Sequence, residues 1–283
     1  MNRIAVWGIA SIALGALPAA AADLPVKARP MVPVAAAYNW SGCYIGGTVG
    51  AINGRNSYDN GPTGAYLGGA PGIAALTPVT SAAVSASYGS TKLSITGGGE
   101  IGCNYQTGSF VFGLEGDING SGLRNSTTPV FPATAGGFLG RTETETQSMS
   151  WYSTVRGRAG FTVWDRGLVY VTGGLAIANF NSSFNVNFTN TDSFAGSAST
   201  TRAGWVIGGG YEWALTNNWS VKAEYLHMDF GRFSMASPNT MFVTNGAADP
   251  RYTWTTNIRA REDIVRVGVN YKLDWGGPVV ARF

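Results

Sequence analysis

Residues 154–163, TVRGRAGFTV, place Val155, Gly157, Ala159, Phe161 and Val163 on one parity and Arg156 and Arg158 on the other. In an extended strand the two parities face opposite ways, so the arginines share one face and the apolar side chains the other. The same two-residue period recurs along the chain. It predicts strands near residues 40–52, 93–106, 109–119, 146–162, 167–181, 200–215, 218–230 and 260–274. Tight turns follow the second, fourth and sixth of these ("TGS", "WDRG", "LTNN"). The other connections are long polar segments rich in Gly, Ser, Thr, Asn and Pro.

Parity assigns the charges. Glu100 opposes Ile95, Ile101, Cys103 and Tyr105, while Glu115 and Asp117 oppose Phe110, Phe112, Leu114 and Ile118. Glu212 opposes Trp205, Ile207, Tyr211 and Trp213. Lys222 and Glu224 oppose Trp219, Val221, Ala223 and Tyr225, and Arg266 and Lys272 oppose Val265, Val267, Val269, Tyr271 and Leu273. Mid-strand charges thus share the polar face, five acidic against five basic once Arg156 and Arg158 are included. A charge on a lipid face costs roughly 2–4 kcal/mol at mid-depth. The pattern is inside-out: apolar surface outward, balanced charges inward. An even set of eight strands with short turns at one end and long loops at the other predicts an all-β fold, an eight-stranded antiparallel transmembrane barrel.

Composition agrees with a bilayer setting. The chain has 283 residues, 45% hydrophobic and only 12% charged, with 40 glycines and a net charge of +3. Soluble domains carry about a quarter charged residues. No Lys/Arg stripe of the kind nucleic acid requires is present, so nucleic acid is not an expected partner. Arg3, the uncharged run from Ile4 to Leu17, and "AAAAD" after Pro18 read as a signal peptide over residues 1–22. Residues 23–39 read as a Pro-rich periplasmic segment, and 40–283 as the barrel.

Register refines the interior. With Thr107–Gly108 as a two-residue turn, Gln106 pairs with Ser109 and Glu100 falls opposite Glu115. That like-charge pair needs a neutralising partner. Arg156 and Arg158 project from the next strand, and a guanidinium can bridge two carboxylates. Around "TNN", Glu212 falls opposite Lys222. A salt-bridge network filling the interior is expected, the alternative being scattered charges bathed in water. Cys43 and Cys103 are the only cysteines. Both lie near the periplasmic ends of neighbouring antiparallel strands and on the lipid-facing parity. A directly opposed pair lies within disulfide range, and an exported chain meets an oxidising compartment. A bond is expected, with two unpaired small apolar residues as the alternative.

"DLP" after the signal, "WSGCYIGGTVG", "GGGEIGCNYQTGSFVFGLEGDI", "STVRGRAGF", "LVYVTGGLA", "WSVKAEYLHMDFG" and "DIVRVGVNYKL" together resemble the small outer-membrane β-barrel proteins of alphaproteobacteria. These include the Brucella-type major surface antigens and are loosely OmpA-like. The resemblance covers about half the chain. It implies an eight-stranded barrel in the outer membrane of a Gram-negative bacterium, with surface-exposed loops and a structural or surface-interaction role without known catalysis; no cofactor is expected. "RVGVNYKL" resembles an assembly signal (Arg266, Gly268, Tyr271, Leu273), although the chain runs on through "DWGGPVVARF".

Expected partners are outer-membrane lipid and lipopolysaccharide, the barrel-assembly machinery, and host or surface ligands through loops 53–92 and 231–259. A small porin-like passive channel is the first alternative, and a secreted soluble ligand-binding barrel the second. Gly97, Gly99 and Gly102 satisfy G-x-G-x-x-G, but alternation continues past them where a nucleotide site needs a helix. His227 falls on the outward parity with Asp229 two residues away, too little for a metal site or an enzyme. Trp40, Tyr105, Trp164, Trp213, Trp219 and Trp275 are expected to form a periplasmic aromatic girdle.

Overall fold

A computed structural model describes residues 37–64, 85–133, 140–188, 193–238, 240, 243–244, 247–248 and 252–273. The alternating segments form eight long strands: β1 (Gly42–Gly64), β2 (Ala86–Thr107), β3 (Phe110–Thr127), β4 (Arg141–Val163), β5 (Gly167–Phe188), β6 (Ser193–Ala214), β7 (Trp219–Pro238) and β8 (Tyr252–Lys272). Each pairs antiparallel with its chain neighbours, and β8 returns to β1 from Tyr44↔Lys272 to Gly64↔Tyr252, which closes the ring. A two-residue piece, Val130–Phe131, continues the β3 edge against the start of β4. A separate small pairing joins Val243–Thr244 to Ala247–Ala248. No described residue is helical. The proposed signal peptide, residues 23–36 of the Pro-rich segment, and the tail from Asp274 to Phe283 with Trp275 lie outside the described residues.

The strands run well beyond the expected boundaries. Residues 53–64, 86–92, 231–238 and 252–259, read above as loop, are strand. The physical reason is an inversion of the two faces part-way along each strand. On β5 the outward Val169, Val171, Leu175 and Ile177 give way to outward Asn179, Asn181, Ser183, Asn185 and Asn187. Phe180, Phe184 and Val186 meanwhile turn inward and are buried. On β8 the outward valines end at Val265, and Asp263, Arg261, Arg259, Asn257 and Thr255 continue the row around a buried Ile264, Ala260 and Ile258. Lipid requires an apolar outside; above it, water requires a polar outside and allows an apolar inside. A search for one constant polarity per face therefore stops where the lipid stops. The connection between β5 and β6 is correspondingly short, only residues 189–192.

The interior is layered. At the end with the short turns, Trp40, Val111, Leu168, Tyr170 and Ala214 pack together, with Tyr38 against them. Trp40 is 3% exposed, so it closes the barrel mouth from inside and takes no part in an outer girdle. Trp164, at 78% exposed, with Tyr105 and Trp219, does face outward there. Above the base comes a charged layer, then an apolar layer that includes Ile52, Tyr152, Phe180, Val206, Leu226, Met228, Phe230 and Ile264. Phe194 and Trp254 pack at ring-centroid separation 5.7 Å higher in the extension.

Candidate functional site: the charged interior

The strands deliver inward charges from six directions at similar depth. Register places Glu115 opposite Arg156, Arg266 opposite Glu224, and Lys222 opposite Glu212. Glu100 faces Asp117, two residues from the expected Glu115. The difference comes from the turn, where Thr107 pairs with Phe110 and Gly108 takes φ 58°. That left-handed position suits glycine and disfavours a β-branched threonine, so the two-residue turn centres on Gly108–Ser109.

Arg156 is the hub. Its Nη1 lies 2.9 Å from Glu224 Oε1 and its Nη2 lies 3.0 Å from Asp117 Oδ2, while Nη2 also pairs with Glu115. Arg266 Nη2 reaches Glu224 Oε2 at 2.7 Å and Asp117 Oδ2 at 3.0 Å. Arg158 Nη2 pairs with Glu212 Oε2 at 2.7 Å, and its guanidinium lies 4.2 Å from the Tyr170 ring centroid. Lys222 Nζ lies 2.7 Å from Glu100 Oε1 and 3.0 Å from Glu115 Oε2. All nine side chains are buried. Polar neighbours satisfy much of what remains: Tyr44 OH donates to Glu115 at 2.5 Å and accepts from Arg158 at 2.8 Å. Ser220 and Asn270 both donate to Glu212.

Lys272 does not join this group. It lies at the barrel end, where its Nζ donates to the Asn39 carbonyl at 2.6 Å and faces the Tyr38 ring. The group thus holds five carboxylates and four cations. Reading charges alone left out Tyr44, Tyr170, Thr154, Ser220 and Asn270, which share the inward parity and could have been found by it.

A second polar set in the extension was also missed. "TETETQ" alternates outward threonines with inward Glu143, Glu145 and Gln147. Glu143 accepts from Asn60 at 2.9 Å and pairs with Arg141 at 2.6 Å, and Tyr88 donates to Glu145 at 3.3 Å. Burial pushes the Glu145 carboxyl up to about 8, and the Glu143 charge adds to it. Burial likewise pushes Glu262 up to about 8, and neither of its carboxyl oxygens has a hydrogen-bond partner among the described residues.

Cys43 and Cys103 are directly opposed on β1 and β2 and form a disulfide, with Cα atoms 3.9 Å apart. Of the suggested assembly signal, Arg266 is inside the charged layer. Tyr271 packs outward against Trp219 at 5.0 Å, and the Leu273 amide donates to the Cys43 carbonyl at 2.8 Å. His227 is outward and contacts Asp263 at 2.8 Å, while Asp229 pairs with Arg259, so the two do not form a pair.

The model of the outer membrane protein beta-barrel domain matches residues 9–272. The chain belongs to this family. A 31 kDa outer-membrane immunogenic protein of Brucella melitensis is 33% identical over 269 residues, covering 93% of this chain and 98% of that protein. A 22 kDa outer membrane protein of Rhizobium leguminosarum is 29% identical over 145 residues, covering 50% of this chain and 57% of that one. Among solved structures, the outer membrane protein OprG of Pseudomonas aeruginosa aligns with 84% of this chain and 99% of its own, at 11% identity and TM-score 0.41. As a member of the family, the barrel resides in the outer membrane of a Gram-negative bacterium. The secreted soluble reading falls with that location and with the outward apolar band.

Proposed function

We propose that this barrel is a sealed structural and surface-display element of the outer membrane, without catalytic activity, and that its charged interior serves rigidity in place of transport. The observation that carries this reading is the stacking of the interior. The nine-residue ion-paired layer is packed directly beneath Tyr152, Phe180, Leu226, Met228 and Ile264, all buried. Eight strands enclose a space just wide enough for side chains, and here side chains occupy it. Signal-peptide export, recognition of the last strand by the assembly machinery, and surface contacts through residues 53–92 and 231–259 belong to the same reading. The inter-strand part 65–84 lies outside the described residues.

Deletion of the gene in its host tests the envelope role. Loss should increase sensitivity to detergent and chelator, and the intact chain should restore resistance. An unchanged envelope, coupled to slower uptake of small solutes, would instead favour the porin-like alternative.

A further inference from the structure

Where the outward apolar band ends, β1, β7 and β8 present four arginines to the exterior. Register sets Arg55 directly opposite Arg261 and Arg232 directly opposite Arg259, two like-charge pairs on adjacent rows. Like charges facing each other across a ladder destabilise it unless an anion lies between them. Two carboxylates on the same surface answer part of this: Asp263 Oδ2 lies 3.3 Å from Arg55 Nε, and Asp229 Oδ2 lies 2.7 Å from Arg259 Nη2. Arg232 forms no ion pair among the described residues. Arg261 lies opposite Asp229 in the ladder, but that carboxylate already pairs with Arg259, and the buried Arg261 Nε has no hydrogen-bond partner among the described residues. Four cations against two carboxylates leave two positive charges uncompensated.

The backbone is shaped to produce this cluster. Even-numbered residues of β7 from Ser220 to Phe230 point inward, and continued alternation would bury Arg232. Instead the ladder is irregular between Arg259 and Arg261, and Gly231 adopts φ 71°. The extra residues turn Phe233 in towards the apolar layer and aim Arg232 outward beside Arg259. One step towards the periplasm, His227 and Asp263 face each other, and the next outward pair is the apolar Tyr225 and Val265. The arginines therefore stand one side-chain length above lipid, at the depth of outer-leaflet headgroups.

We propose that this cluster binds the phosphate groups of the phosphorylated glycolipid of the outer leaflet, with Arg232 and Arg261 as the principal contacts. Guanidinium forks suit phosphate oxygens, and the two uncompensated charges match a phosphate dianion. The proposal rests on the outer-membrane location and is independent of whether the interior conducts.

Refolded protein in neutral detergent is titrated with bis-phosphorylated lipid A, with the same lipid dephosphorylated, and with inorganic phosphate, following binding by native mass spectrometry. The phosphorylated lipid should bind, the dephosphorylated lipid should bind at least ten-fold more weakly, and inorganic phosphate should not compete at equal concentration. The Arg232→Gln/Arg261→Gln variant should lose at least ten-fold in affinity while keeping heat-modifiable migration; should it not fold, Arg261→Gln alone is read the same way. Equal binding of the dephosphorylated lipid would reduce the contact to acyl-chain adsorption. Equal competition by inorganic phosphate, or unchanged affinity in a folded variant, would overturn the site.

Discussion

Replacing Arg156 with Leu removes the guanidinium shared by Glu115, Asp117 and Glu224. Each carboxylate keeps at least one cation: Arg266 for Glu224 and Asp117 at 2.7 and 3.0 Å, and Lys222, Arg158 and Arg266 for Glu115 at 3.0, 3.4 and 3.7 Å. The layer nevertheless passes from one excess negative charge to two, all buried. Removing one member of a buried ion pair costs about 3–5 kcal/mol, because the remaining charge stays desolvated without its partner. The retained cations place this substitution near the lower end, about 3 kcal/mol. Urea unfolding of the refolded barrel in micelles, read by tryptophan fluorescence and by heat-modifiable migration, gives the difference directly. Arg156→Leu combined with Glu224→Leu restores the charge balance and should recover at least half of the loss, since buried pairs exchanged for apolar residues are often near neutral. Wild-type stability in the single variant, or no recovery in the double, would mean that these charges act separately, as solvated groups do.

Three further outcomes follow from the layering. Mass spectrometry of unreduced, denatured protein should find no alkylatable thiol, and Cys43→Ser/Cys103→Ser should lower stability by about 4 kcal/mol in the chain-entropy model for a sequence separation of 60. In the extension, Glu145 and Glu262 have carboxyls raised to about 8, so their protonated forms suit the folded state. Their stabilising contribution is complete below the unfolded value near 4.5 and declines as pH rises to about 8, at up to about 1.4 kcal/mol per pH unit for each group. Hydrogen-exchange protection factors in residues 252–262, corrected for the intrinsic rise of amide exchange with pH, should therefore be lower at pH 9 than at pH 6, and Glu262→Gln should flatten the difference. Finally, Val171→Arg should cost roughly 2–4 kcal/mol in bilayers, whereas Asn185→Arg, outward on the same strand but above lipid, should cost close to nothing by the same assay.

The sequence carried the inside-out barrel because charge is the most expensive thing to misplace in lipid: single residues such as Arg156 or Glu224 decide a face without reference to any neighbour. It carried the Cys43–Cys103 proximity for a related reason, since strand direction and distance from the turn needed no long-range information. Register was less legible. The position of one left-handed glycine, Gly108, determined whether Glu100 met Glu115 or Asp117. The extension was read as loop because its period persisted while its polarity reversed, visible in "SFNVNF" only after allowing the outside to be polar. Trp40 and Lys272 were misplaced because both lie at the barrel end, where a side chain can turn over the rim or into the mouth and parity no longer decides. The outward Arg232 was beyond reach for the opposite reason: a bulge changes parity within one strand.

The sealed interior is tested most directly by single-channel recording in planar bilayers, comparing the wild-type barrel with a variant carrying Phe180→Ala, Met228→Ala and Arg156→Ala. Those three side chains span the apolar and charged layers, and all are buried. The wild-type protein should insert without resolvable openings, and the variant should show small, persistent conductance. Sustained wild-type openings that survive repurification and vary with the charge at Arg156 would contradict the account.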